Sequence, residues 1–213
     1  MGKLSRGLVW TAVIVGGTFL IGRALFFDVW TFPDDRRFAA SVAPSLRAGD
    51  LLVAIKAGEP TVGDLVRCTD PDDPKGFVVA RVGGRERDQI EIEGPALSIN
   101  GHTYNAESAC RDRSVTLPNP SEGPDIEVAC DKVSMGSGWH YRGHTAKPRL
   151  GFDKVSATVR PGMLYLVSDD RDWHDDSRDF GQVPVAACSY KIVFRLWGSE
   201  GWRADPLRFE FIH

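Results

Sequence analysis

No CxxC pair occurs among the four cysteines, Cys68, Cys110, Cys130 and Cys188. Zinc sites are usually built from such pairs, so none is expected here. There is no excess of basic charge; the formal net charge of the 213 residues is -3. Nucleic acid is therefore not an expected partner, and without a long acidic run neither is a solvating tail. Internal repeats and low-complexity tracts are absent, and helical periodicity is scarce beyond the first thirty residues. No cofactor motif is found, so neither a cofactor nor a resident metal is expected. What remains is an ordinary globular composition, 42% hydrophobic and 26% charged, long enough for one sizeable core.

The amino-terminal segment is the longest apolar run. Lys3 and Arg6 precede residues 8–27, which are apolar apart from Thr11, Thr18, Arg23 and a few glycines. Twenty helical residues rise about 30 Å, the thickness of a bilayer core. Arg23, near the far end, can snorkel to the headgroups. Trp10, Phe26, Phe27 and Trp30 suit the two interfaces. The segment reads as a retained transmembrane anchor. The positive-inside rule leaves residues 1–7 in the cytoplasm and the main body on the other side of an inner membrane. A cleavable signal peptide is the competing reading, with Gly22-Arg23-Ala24 as a poor small-x-small site.

Beyond the linker at 28–36 the pattern is mainly β. Short apolar runs at 51–55, 65–68, 77–82, 90–92, 97–99 and 163–167, and further strands within 183–197, alternate with turn signals. Asn100-Gly101 predicts a tight hairpin turn. Between about 107 and 156 the composition shifts. Pro118, Pro120, Pro124, Gly136, Gly138, Gly143 and Pro148 are expected to break any long element. The chain thus divides into a β domain at 37–106 and 157–213, with an insert or subdomain at 107–156. Cys110 and Cys130 flank a Pro-, Ser- and Asp-rich stretch and would close it as a disulfide in an oxidising compartment. Four unconnected small apolar residues are the other reading, since spacing does not fix connectivity. His140 and His144 stand four apart, a metal-binding spacing on a helix, but Gly138 and Gly143 argue against one there.

Three segments together resemble the bacterial type I signal peptidases. Ser41-Val42-Ala43-Pro44-Ser45-Leu46 with Gly49-Asp50 is similar to the pattern Ser-Met-x-Pro-Thr-Leu, then Gly-Asp. Val62-Gly63-Asp64-Leu65-Val66, Val79-Ala80-Arg81-Val82-Gly83, Asp88 and Leu97-Ser98-Ile99-Asn100-Gly101 follow in the family's order. The stretch from Ser168-Asp169-Asp170-Arg171 through Asp176-Ser177-Arg178 to Phe180-Gly181 resembles Gly-Asp-Asn-Arg-x-x-Ser-x-Asp-Ser-Arg-x-Phe-Gly. The resemblance implies a signal peptidase I-like fold of antiparallel β-sheets behind one N-terminal transmembrane helix. It implies a membrane-bound serine endopeptidase that removes signal peptides from exported preproteins at the lipid surface.

The same resemblance makes Ser41 the nucleophile, and it exposes a gap. The family's base is a lysine whose pKa is lowered by burial; its position here is Ala80. Lys75 is expected on the opposite face and roughly 16 Å away along a strand, and Lys56 belongs to another strand. The position of the serine that normally steadies the lysine is His174. An imidazole titrates near pH ~6.5 and suits general-base work, so His174 is a candidate substitute, oriented by Asp172, Asp175 or Asp176. The simplest alternative is an exposed loop histidine. Ala39 replaces a hydroxyl that part of the family directs at the oxyanion, leaving the Ser41 N–H as a donor. Asp169, Arg171, Asp176 and Arg178 are expected to hold the site loop by ion pairing. The rival to a peptidase is an inactive homologue that binds exported peptides or partner proteins without cutting them.

Overall fold

The computed structural model describes residues 3–56, 58–117, 119–121, 123–136, 138–145, 154–203 and 208–213, with side chains from residue 8 onward except at 24. Helix α1 (Lys3–Leu25) opens the chain. Its apolar side chains, Leu8, Val13, Ile14, Phe19, Leu20 and Ile21 among them, are exposed. Among the described residues no helix is long and apolar enough to cross a membrane. The span expected over 8–27 is therefore not established by the fold. The first four residues of the expected linker at 28–36 are strand, within β1 (Phe27–Thr31), which follows α1 after one residue.

A seven-residue helix, α2 (Arg36–Val42), comes next, where no helix was expected. Its cause is local. The Asp35 side chain accepts from the Phe38 N–H at 2.9 Å, an N-cap that satisfies one of the first free donors. Pro44 ends it by holding Ala43 in an extended conformation, φ -68° and ψ 147°.

Strands β2 (Leu51–Lys56), β3 (Leu65–Thr69), β4 (Phe77–Gly84), β5 (Gln89–Glu93) and β6 (Ala96–Ile99) match the expected runs, and β7 (His102–Tyr104), where no run was expected, follows the Asn100-Gly101 turn. Asn100 (φ 53°) and Gly101 (φ 80°) make the β6–β7 turn, with both residues left-handed as such turns require. β8 (Ala106–Leu117), β9 (Ile126–Met135) and β10 (Gly138–His144) then form a three-stranded sheet. This corrects the expectation that the insert holds no long element, because β8 has 12 residues and β9 has 10. Pro120 and Pro124 fall in the β8–β9 connection rather than inside either strand. His140 and His144 lie on β10, not on a helix. Pro118 and Pro148 lie outside the described residues.

The remaining strands are β11 (Val155–Thr158), β12 (Met163–Val167), β13 (Val183–Pro184), β14 (Tyr190–Trp197) and β15 (Glu210–Phe211). The largest sheet runs β1-β2-β14-β3-β4-β12-β13, with β15 on β14; a four-stranded sheet runs β11-β5-β6-β7. All strand pairs in these sheets are antiparallel. The main sheet carries two apolar clusters. One joins Ala39 and Val42 of α2 to Phe32, Leu46, Leu52 and Val79. The other joins Val66, Cys68, Val78, Ala80, Val82, Leu164 and Cys188.

Two disulfides form. Cys110–Cys130 joins β8 to β9, as one of the two sequence readings held. Cys68–Cys188, 120 residues apart, was not expected. A loop of that length removes enough denatured-state entropy to contribute about 5 kcal/mol.

Candidate active site

Ser41 lies in the last turn of α2 and is 1% exposed. Its hydroxyl donates to the Phe38 carbonyl at 3.0 Å. Its own carbonyl accepts the N–H of Asp170 at 3.0 Å. The 169–171 segment is held from the other side by β10: Gly143 N donates to Asp169 O and Arg171 N to Gly143 O, each at 2.9 Å. Three stretches far apart in sequence therefore meet at the serine. A glycine is needed at 143, because a Cβ there would sit 2.9 Å from the Ala43 carbonyl and from Val128 Cγ1.

Two buried ion pairs brace this segment. Arg81 grips Asp169 with both arms, Nε to Oδ1 at 2.7 Å and NH2 to Oδ2 at 2.8 Å. Its NH1 is shared by the carbonyls of Gly63 (2.7 Å) and His213 (2.6 Å). Burial would raise the Asp169 pKa, but the Arg81 guanidinium outweighs it and holds the carboxyl below its ordinary range. Arg178 grips Asp176 in the same way, Nε to Oδ1 at 3.0 Å and NH2 to Oδ2 at 2.8 Å. Asp176 also accepts from Ser168 N at 2.7 Å, and its pKa too is lowered against the pull of burial. Arg171 donates to Ser168 O at 2.7 Å. Burial, then repulsion from Arg178, brings its pKa down to about 9. Asp169 thus ties the loop to β4 through Arg81 and Asp176 pairs with Arg178 within the loop, whereas Arg171, among the described residues, bonds the Ser168 carbonyl and not the carboxylate expected of it. Arg81 was missed as the loop's anchor, although it stands beside Ala80 in the quoted motif.

His174 sits elsewhere in the same loop and is exposed. Its Nδ1 pairs with Asp179 Oδ2 at 2.7 Å, not with Asp172, Asp175 or Asp176. No hydrogen bond joins it to Ser41 among the described residues, so the two halves of the expected dyad have different partners. Asp172 instead accepts from the N–H and, at 2.8 Å, the hydroxyl of Thr145. Ring and carboxylate atoms of His174, Asp176 and Asp179 lie within 4.8 Å of one another. Both Asp176 oxygens, however, are already occupied by Arg178 and Ser168. Ala80 is wholly buried in the second apolar cluster.

Asp170 and His140 are among the buried residues that carry a polar atom without a hydrogen-bond partner. Asp170 is fully buried; its Oδ1 accepts from the N–H groups of Asp172 (2.9 Å) and Trp173 (3.1 Å), while Oδ2 has no partner. Burial raises its pKa to about 6. Both ring nitrogens of His140 are also unpartnered, in a cavity of about 20 Å³ shared with Ser45, Trp139 and Glu210. Its pKa is pushed well down, first by burial and then by Arg81. Neither could be read from the sequence, where an Asp and a His in charged surroundings look solvated.

The sequence profile of the family described as signal peptidase, peptidase S26, matches residues 6–197. The chain matches no curated protein at significant similarity. Among solved structures it is similar to a signal peptidase I from Enterococcus faecalis V583. The two are 23% identical over 62% of this chain and 94% of that one, with a TM-score of 0.37.

Proposed function

The chain belongs to the signal peptidase family, peptidase S26, and from that premise we propose that it is a serine endopeptidase that removes signal peptides from exported preproteins. The observation that carries this reading is the convergence on Ser41. Its helix is bonded to the 169–171 segment, and that segment is pinned by the Arg81–Asp169 pair. A serine nucleophile needs a base held within reach of its hydroxyl, and the braced loop is the element that could hold one. The substrate is an extended peptide added along a strand edge. Residues 77–80 of β4 are paired with β3, whereas the pairing with β12 begins only at Arg81; that register supports an open edge near α2. Helix α1, with its exposed apolar surface, is the anchor, and the body lies outside the cytoplasm against the lipid surface. Both disulfides suit an oxidising compartment. Failure of alkaline carbonate to extract the full chain from membranes is the expected result for the anchor.

A second reading draws on Ala80 and on the Ser41 hydroxyl, which is occupied by its own helix. Position 41 lies inside α2, where an N–H ordinarily bonds the carbonyl four residues back, so the oxyanion donor expected from the sequence is spent. On that reading the protein binds exported peptides without cutting them. The deciding experiment uses the full chain in detergent and a preprotein with a small-x-small site, with Ser41→Ala and His174→Ala variants, from about pH 5 to 9. Cleavage abolished by Ser41→Ala supports the peptidase. Binding without cleavage by the unmodified chain supports the inactive homologue. Loss with His174→Ala would assign the proton to that ring.

A further inference from the structure

A serine hydroxyl acts as a nucleophile when a neighbouring group takes its proton. Ala80 has nothing to offer, and His174 is paired with Asp179. Beyond its own helix, Ser41 is bonded to Asp170, whose backbone N–H donates to the Ser41 carbonyl at 3.0 Å. That contact sets the two backbones on the order of 5–6 Å apart, as across a hydrogen-bonded strand pair. The Asp170 carboxyl is held by one oxygen only, and Oδ2 is buried with no donor. A buried acceptor without a partner is rare in folded proteins and needs a reason. At this position the family pattern quoted above carries asparagine, which cannot accept a proton.

We propose that Asp170 is the general base of this site, its free Oδ2 taking the proton of Ser41. This rests on the peptidase reading and names the acceptor it requires. The hydroxyl leaves the Phe38 carbonyl by turning about χ1, a change between staggered wells. Oγ then bonds to the scissile carbonyl carbon, the carbonyl π pair moves to oxygen, and the Oγ proton passes to Oδ2. As the C–N bond breaks, the Asp170 carboxyl returns that proton to the leaving amine. Water, deprotonated by the same oxygen, bonds to the acyl carbon; the C–Oγ bond then breaks and the proton passes from Oδ2 back to Ser41 Oγ, releasing the acid.

The local electrostatics suit the task. Burial and then Asp172 weaken the charged carboxylate, while the N–H groups of Asp172 and Trp173 and the Arg171 guanidinium favour it. The balance keeps the carboxyl near the working range of a general base.

The test compares the unmodified chain with Ser41→Ala, Asp170→Asn and His174→Ala on the same preprotein, from pH 5 to 8. Asparagine retains the acceptor for Asp172 N and Trp173 N, so the loop keeps its bonds. The expected result is a kcat about 10²- to 10⁴-fold lower in Asp170→Asn with KM little changed, and loss of the rate rise centred near pH 6. That rise should survive in His174→Ala, a readout independent of how well Asp170→Asn folds. Cleavage by Asp170→Asn within a few-fold of the parent, or a rise that vanishes with His174→Ala, overturns the assignment and leaves the peptidase standing. No cleavage by the unmodified chain overturns both.

Discussion

Asp169 and Asp170 are adjacent buried carboxylates with opposite fates. On the Asp169 side, Arg81 neutralises the charge with two short bonds and the pKa falls. On the Asp170 side, one oxygen has backbone partners, the other has none, and the pKa rises. Burial pushes both carboxyls the same way, so the difference comes from their neighbours, first of all the Arg81 guanidinium. One side is built for rigidity and the other keeps a reactive atom in reserve.

Removing the paired charge should have the largest effect. Asp169→Asn leaves Arg81 buried without its counter-ion, and breaking such a pair costs about 3–5 kcal/mol. Urea denaturation at pH 7 should show it; a loss below 1 kcal/mol would mean that the carbonyls of Gly63 and His213 suffice for Arg81. Next comes Gly143→Ala, whose Cβ would press on the Ala43 carbonyl and Val128. A loss of about 1–3 kcal/mol is expected, together with slower cleavage, because β10 positions both neighbours of Asp170. An unchanged melting temperature would show that β10 can retreat freely.

The pH dependence sharpens the contrast further. The folded Asp170 pKa is raised from 3.8 to about 6, so the folded state binds the extra proton between those values. The parent should lose stability as pH rises from about 4 to 6, at up to about 1.4 kcal/mol per unit, and Asp170→Asn should not. A parallel profile for the two would place Asp170 in contact with water. His140 behaves in the opposite sense. Its folded pKa is lowered, so the unfolded chain binds more protons below about pH 6.5, and stability falls as pH falls from there. With Asp170→Asn that acid-side loss stands uncovered, at up to about 1.4 kcal/mol per unit. Adding His140→Leu should flatten it, and a slope that persists would trace to another group.

The strands of the β domain were legible because short apolar runs bounded by turn residues leave few alternatives, and Asn100-Gly101 fixes a turn through backbone sterics alone. The Asp-Arg pairing of 176 with 178 was legible from its motif. α2 was not, because seven residues are too short for helical periodicity and its stability comes from the Asp35 cap and from packing on β4. The insert was misread because prolines were counted by region, while their effect depends on whether they fall in a strand or in its turn.

The sequence by itself determined the class of fold and the family, since both rest on residue type and order. Only the tertiary structure decided which charges are paired. Arg81 reaches Asp169 across 88 residues, and Asp170 reaches Ser41 across a still longer gap. Burial and partnership are properties of the folded neighbourhood, and a carboxylate in a string of letters carries neither.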